Sequence, residues 1–126
     1  MNIFILDQNP VIAAQQQCDK HVVKMIVESG QMLSTVHRMV DGTMERRPSK
    51  SGSMLQYFKH PHMQMENTLY KACHFNHPST VWTRRSKATY MWLYRHMISL
   101  GDEYTKRYGK KHLSINKCAE FLATPP

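Results

Sequence analysis

The chain has 126 residues, which suits one domain with a core that needs no disulfide or metal to hold it together. Hydrophobic residues make up 41% of the sequence, which excludes an intrinsically disordered chain, and no apolar run approaches the roughly 20 residues that a membrane helix needs. The net charge of +8 favours a phosphate-rich partner, because each neutralised phosphate releases counterions. A basic protein without such a partner is the alternative.

The first half of the chain begins with an apolar stretch, residues 1–6, which predicts a short extended arm. Asn9 followed by Pro10 is typical of a helix start, because Asn caps and Pro fits the first helical position. Apolar residues at helical spacing extend this predicted helix to about Val40. Residues 41–63 have no apolar period, so we expect a mobile, basic loop there.

The second half predicts three more helices. Residues 64–75 favour a short helix, and a second long helix is expected over 79–108, where aromatic and apolar residues share one face. Gly109 is a typical C-cap, and a last short helix is expected over 115–122. The expected architecture is mainly α, a compact single-domain bundle over residues 1–126 with two long helices and a short extended N-terminal segment.

A polar stripe lies on the first long helix, opposite its apolar face, and consists of Gln17, His21, Lys24, Glu28, Gln31 and Thr35. His21 and Glu28 are seven residues apart, or two helical turns, so they share this face. Lys20 and Arg38 flank the stripe, and the surrounding cations favour the ionised form of Glu28. A carboxylate on a DNA-binding face repels phosphate, so its presence predicts that it stabilises a sugar cation or moves a proton. The alternative is an ordinary solvent face on which Lys24 pairs with Glu28.

Side chains that can bind metal form a second group in the predicted loops: His60, His62, Cys73, His74 and His77, with Cys18 and His21 elsewhere. These residue types suit zinc, but the paired-cysteine spacing of established zinc modules is missing. We therefore expect no metal and no other cofactor, and a zinc-stabilised module or a metal-dependent nuclease stays open as an alternative. The chain has three cysteines, odd in number and widely spaced, which argues against a disulfide framework and for a reducing cytoplasm.

Basic residues also cluster on and after the second long helix. The aromatic residues among them recur at helical spacing, so they are expected in the core and only the charged side chains are assigned to a partner. Lys and Arg clusters of this kind hold a nucleic-acid backbone. The residues expected to contact DNA are Lys20, Lys24, Gln31 and Arg38 on the first helix, and His77, Arg84, Arg85, Lys87, Arg107, Lys110 and Lys111 in the second half.

The run Cys18-Asp19-Lys20-His21-Val22-Val23, followed by Glu28, resembles the opening helix of the phage pyrimidine-dimer DNA glycosylases, the T4-type endonuclease V family. That family has a small residue, Asp, a polar residue and His, then two apolar residues, and places its catalytic glutamate at the same interval. A weaker similarity, to a later helix of the family, is carried by His77-Pro78, by Trp82 and by the segment from Glu103 to Gly109. The whole sequence also resembles uncharacterised proteins of marine phages.

The resemblance implies a compact helical fold and a bifunctional DNA-repair enzyme, an N-glycosylase and AP lyase. Its substrate would be double-stranded DNA with damaged pyrimidines, in the cytoplasm of a phage-infected cell. In that chemistry the chain's own α-amine attacks C1′ of the damaged nucleotide, the base leaves, an imine forms and β-elimination cuts the strand. An α-amine has a reference pKa near 8, so about a tenth of it is neutral at pH 7, far more than of a lysine.

The resemblance also implies roles for three residues. Glu28 would stabilise the developing sugar cation and assist proton transfer, and His21 would help to orient the substrate. Asn2 is bulky enough to block removal of the initiator methionine, so Met1 would supply the amine. The family carries a basic and aromatic C-terminal segment that is absent after Pro126, which leaves open that the chain is shortened there. The alternative function is a non-enzymatic, basic nucleic-acid-binding phage protein, with salt-sensitive binding and no cleavage.

Overall fold

The computed structural model describes residues 1–126 and is mainly helical, which confirms the expected fold class. In chain order its elements are α1 (Pro10–Gln15), α2 (Asp19–Asp41), β1 (Thr43–Pro48), β2 (Met54–Lys59), α3 (Met63–Thr68), α4 (Pro78–Arg85), α5 (Lys87–Tyr108) and α6 (Leu113–Leu122). The two long helices, α2 and α5, were both expected. None of the helices combines the length and the apolar character that a membrane crossing requires.

One hydrophobic core lies between α2 and α5, closed by α6 and by the N-terminal arm, residues 1–5. The face predicted for the second long helix is buried at Tyr90, Leu93, Met97 and Leu100, whereas Tyr104 is half-buried and Tyr108, at the end of α5, is exposed. The Tyr90 hydroxyl donates a hydrogen bond to the Leu122 carbonyl, 2.8 Å away, which fastens α6 to this core. Gly109 ends α5 in the left-handed conformation (φ 74°), as predicted, because glycine has no Cβ to oppose it.

The first predicted helix is interrupted, contrary to expectation. It stops after Gln15 and resumes at Asp19. The carbonyls of Gln15 and Gln17 accept hydrogen bonds from Arg107 instead of from a following helical turn, at 3.2 Å and 2.9 Å. A distant arginine therefore stabilises the break, and local sequence carries no sign of it.

The second predicted long helix is also divided, at Ser86. This residue is extended and caps α5 through a capping box with Thr89, in which each side chain bonds the other's backbone N–H. Ser86 therefore ends α4 and starts α5. Serine is a preferred N-cap residue, so the sequence was compatible with a helix start here, but threonine at the third position is not the usual capping-box residue.

The prediction of an irregular loop over residues 41–63 is wrong for the hairpin that fills most of this range, and its mobility stays a prediction. β1 and β2 pair as an antiparallel hairpin, with Thr43 opposite Lys59 and Pro48 opposite Met54. Both strands are mostly exposed, so neither has a buried face that requires apolar side chains at every second position. The alternation that predicts a strand from sequence is therefore weak. The Arg47 guanidinium lies 3.6 Å from the centre of the Tyr57 ring, a cross-strand contact that helps to hold the pair.

A buried arginine joins this hairpin to the rest of the fold. Arg38 is 1% exposed, and its Nε donates to the Tyr70 carbonyl at 2.7 Å. Its Nη1 donates to the Phe58 carbonyl at 2.9 Å and to Glu66 Oε1, and its Nη2 donates to the carbonyls of Glu66 and Leu69 at 2.9 and 3.0 Å. All five N–H groups of the guanidinium therefore have partners. Burial alone would raise the pKa of Glu66, but bonds from Tyr57, the His60 N–H and Arg38 hold it below its usual value.

Stability should fall in mild acid because His96 is buried in neutral form. Its Nδ1 bonds the Pro10 carbonyl at 3.0 Å, joining α5 to α1, and burial lowers its pKa although that bond opposes the shift. As pH falls, the His96 ring of the unfolded chain gains a proton near pH 6.5, whereas the ring of the folded chain gains one only at lower pH. The free energy of unfolding is therefore lost as pH falls from about 6.5 towards the folded-state pKa. We expect His96→Asn, which keeps a donor for Pro10 and does not titrate, to lose less stability than the wild type between pH 7.5 and 5.5. Denaturant unfolding at the two pH values measures this, and equal losses would contradict it.

Candidate active site

The N-terminal arm runs antiparallel to the start of α2. Phe4 stacks on the His21 ring, with centroids 4.5 Å apart and planes 11° from parallel, and the Phe4 carbonyl accepts a bond from Gln17 Nε2 at 2.9 Å. From His21 to Glu28 the helix rises about 10 Å. From Phe4 back to Met1 an extended chain spans about 10 Å. The two lengths match, so an arm fixed at His21 delivers its first residue beside Glu28.

The terminal amine and the carboxylate meet there. The Met1 nitrogen lies 3.5 Å from Glu28 Oε1, and the two side chains are 4% and 14% exposed. Glu28 Oε2 is buried and has no hydrogen-bond partner. The terminal amine and a carboxylate with one uncommitted oxygen therefore lie side by side in a sheltered position. The proximity that the sequence hypothesis required is present.

His21 contacts the arm rather than the amine. Its ring stacks on Phe4, and the bond from Gln17 to the same residue holds the arm from the other side. In this arrangement His21 fixes the direction of the arm and so positions Met1. Its expected contact with substrate stays a prediction.

One further residue, Cys73, lies near the site and was not predicted to belong to it; Thr35 of the polar stripe holds its backbone. The Thr35 hydroxyl donates to the Gln31 carbonyl at 2.8 Å and accepts the Cys73 N–H at 3.2 Å. Burial raises the pKa of the Cys73 thiol, while its bond with Thr35 and the positive charge of the terminal amine act in the opposite direction. Thr35 was visible as part of the polar stripe. Cys73 had no such signal, because its approach to the terminus depends on the tertiary fold.

Basic side chains surround the start of α2. Lys20 and Lys24 are exposed on the turns that carry His21 and lead to Glu28. Lys110 and Lys111 are exposed in the loop before α6, where the neighbouring His112 approaches the Val23 backbone. We call Lys20, Lys24, Lys110 and Lys111 the basic rim. Half-buried Gln31 lies one turn beyond Glu28 on the same helix face.

The predicted basic residues of α4 and α5 lie elsewhere. Arg84 and Lys87 line a cleft with Val36 and Val40, and Arg85 is exposed beside them. Val36 is about 12 Å along the helix axis from Glu28, so this is a second basic patch, separate from the basic rim. Arg84 also donates to the Phe75 carbonyl. His77 Nδ1 accepts the Ser79 N–H at 3.2 Å and so caps α4.

Two arginines assigned to DNA serve the fold instead. Arg38 is buried and bonded through every N–H, so it has no donor to offer at the surface, which corrects that prediction. Arg107 donates to Asp19 Oδ1 at 2.9 Å and to Glu103 Oε1 at 3.2 Å, besides the two carbonyls between α1 and α2. These bonds occupy its guanidinium at the junction of three helices.

The histidines and cysteines considered for zinc do not form one site. His62 Nδ1 accepts the Met65 N–H at the start of α3, and His77 caps α4. The Cys73 thiol lies near enough to the terminal amine to feel its charge, and all three cysteines are free thiols. Of the candidates, only His60 belongs to a close group of metal-ligating atoms, and its partners there are His37 and Asp41.

Comparison with protein-family models, with curated proteins and with solved structures finds no match to this chain. What the site can do is therefore argued from its geometry.

Proposed function

We propose that this protein is a DNA glycosylase and AP lyase that uses the Met1 α-amine as its nucleophile and Glu28 as its carboxylate. One observation carries the proposal: the Met1 nitrogen lies 3.5 Å from Glu28 Oε1 in a place largely shielded from water. Glu28 was assigned from a motif and Met1 from the chemistry of α-amines, so the short distance between the two groups supports the proposal independently.

The positions of the Met1 amine and Glu28 suit each step of the proposed glycosylase reaction. Glu28 takes a proton from the terminal ammonium, and the neutral amine forms a bond to C1′ of the damaged nucleotide. The C1′–base bond breaks, the base leaves with the electron pair and takes the proton that Glu28 received, and the carboxylate, ionised again, stabilises positive charge on the sugar.

The Met1 amine and Glu28 can also cleave the DNA strand. Glu28 carries a proton from the attached amine to O4′ as the C1′–O4′ bond opens, and the amine becomes a protonated imine. Loss of a proton from C2′ to a base then expels the 3′ phosphate by β-elimination. Glu28 is within reach of these atoms once the sugar is attached to Met1, and its uncommitted oxygen, Oε2, can accept that proton.

The basic rim supports a DNA substrate. Its four lysines are exposed and can neutralise phosphates of a DNA backbone, and that contact is sensitive to salt. A nucleotide must leave the base stack to reach a sheltered amine, which damaged pairs allow at lower cost than intact ones. Damaged pyrimidines are therefore the substrate we propose.

Borohydride trapping tests the nucleophile. The protein is mixed with end-labelled duplexes carrying a thymine dimer, an abasic site or no damage, and any imine is reduced to a stable adduct. We expect adducts on the two damaged duplexes, with the DNA attached to the Met1 peptide by mass spectrometry. A variant with Gly-Ser added before Met1 moves the amine and should lose the adduct, whereas the same dipeptide added after Pro126 should not.

The non-enzymatic alternative has its own outcome in this experiment. If no duplex is trapped, while binding to all three persists and weakens with salt, the protein binds DNA without the proposed chemistry. An adduct that survives displacement of the terminal amine would instead assign the nucleophile to a lysine.

A further inference from the structure

Three potential metal ligands converge where α2 ends and β2 leads out of the hairpin. His37 and Asp41 are four residues apart, on one face of the last turns of α2, and His60 follows β2. One ligand atom from each lies within 4.8 Å of the others, and His60 Nε2 is 3.7 Å from Asp41 Oδ2. This group is about 13 Å along α2 from Glu28, so it is separate from the proposed active site.

Two buried nitrogens in this group lack a partner. His37 is 3% exposed and His60 5%, and neither His37 Nδ1 nor His60 Nε2 has a partner at hydrogen-bonding geometry, although the Thr124 backbone approaches the His37 ring. Buried polar atoms are nearly always paired, so two unpaired ones that converge on one carboxylate require an explanation.

The ring of His37 is already oriented as a ligand. The Tyr90 hydroxyl donates its proton to the Leu122 carbonyl at 2.8 Å, so it accepts from His37 Nε2, which lies 2.7 Å away. The proton of the neutral ring is therefore on Nε2, and Nδ1 carries a free lone pair. Metal-binding histidines typically have their second nitrogen fixed in this way.

We propose that His37 Nδ1, His60 Nε2 and the Asp41 carboxylate bind a divalent transition metal, with Zn²⁺ the ion that this ligand set suits best. Zinc bonds of 2.0–2.1 Å place tetrahedral ligands about 3.3 Å apart, so the 3.7 Å between His60 and Asp41 is close to the separation required. Asp41 is 41% exposed and can rotate inwards to close the remaining gap. Three protein ligands leave a fourth position, which water would fill on the exposed side.

The surroundings favour a cation there. Asp41 is the last residue of α2, where the carbonyls at the negative end of the helix dipole point towards the group. One existing bond must change, because His60 Nδ1 accepts the His62 N–H at 3.0 Å. Metal binding at Nε2 moves the ring proton to Nδ1 and frees that N–H, which lies at an exposed turn and can bond water.

The proposed ion would connect α2 to the segment after the hairpin. Such a connection adds the free energy of metal binding to that of folding, because the unfolded chain lacks the preformed group. The inference does not depend on the proposed enzymatic function.

Metal titration of the full-length protein tests the site. After dialysis against chelator, Zn²⁺ is added in a calorimeter, and Co²⁺ in a parallel sample reports coordination through its visible spectrum. We expect one ion per chain, a tetrahedral Co²⁺ spectrum and a higher Tm with Zn²⁺. Asp41→Asn and His60→Gln should each weaken binding at least tenfold and lose the rise in Tm.

The control is His74→Asn, which removes an exposed histidine outside the group and should bind as the wild type does. Asp41 is exposed, so Asp41→Asn should fold normally, which circular dichroism without metal verifies. Absence of binding by the wild type, equal binding by Asp41→Asn, or equal loss in His74→Asn would each overturn the proposal.

Discussion

Glu28→Gln should lower the rate of imine trapping and strand cleavage by about 10²–10⁴-fold, the range that a positioned acid–base group contributes. Glutamine keeps the size of the side chain and removes its charge and its basicity. The terminal ammonium, 3.5 Å away, then has no proton acceptor beside it, and the developing sugar cation has no counter-charge. Single-turnover trapping on an abasic duplex, with enzyme in excess, isolates this step from product release.

The same substitution should leave the fold and the binding of DNA intact. Glu28 makes a single charged contact, and its second oxygen has no partner, so few interactions are lost. Asp102→Asn is the matched control, because it removes the same charge from an exposed position on α5. Both variants should bind DNA slightly more tightly at a fixed salt concentration, and only Glu28→Gln should lose chemistry. Retention of the wild-type trapping rate by Glu28→Gln would remove the carboxylate from the mechanism.

The parts of the site that sequence could predict are those that lie on one helix. His21 and Glu28 share a face because helical periodicity determines it. His37 and Asp41 share another face for the same reason, although no pattern singled them out. The approach of Met1 to Glu28 depends on the direction of the arm, and this follows from the contacts of Phe4 with His21 and Gln17.

Sequence periodicity failed where tertiary contacts decide the local structure. The break between α1 and α2 depends on Arg107, which is ninety residues away from Gln17 along the chain. The hairpin has little buried surface, so its strands lack the alternation that marks a half-buried sheet. Arg38 was assigned to DNA because it flanks the polar stripe of the first helix, and only the fold shows that carbonyls and Glu66 enclose it.

Arg38→Met should destabilise the protein by about 3–5 kcal/mol, as expected when one partner of a buried ion pair is removed. The substitution leaves the Glu66 carboxylate without its cation and the carbonyls of Phe58, Leu69 and Tyr70 without their donor. Domains of this size are typically stable by about 5–15 kcal/mol, so much of the stability would be lost. Urea unfolding followed by circular dichroism measures the change.

Three further variants separate the causes of that loss. Arg38→Lys keeps the charge but offers three N–H donors in place of five, so its stability should lie between those of the wild type and Arg38→Met. Glu66→Gln keeps an oxygen acceptor for Arg38, yet it still leaves a buried cation unneutralised, so it should also be destabilised. Arg85→Met alters an exposed arginine and should change stability by no more than about 0.5 kcal/mol. If Arg38→Met were no less stable than Arg85→Met, water would have to reach those carbonyls, and the hairpin would not depend on this arginine for its attachment to α2.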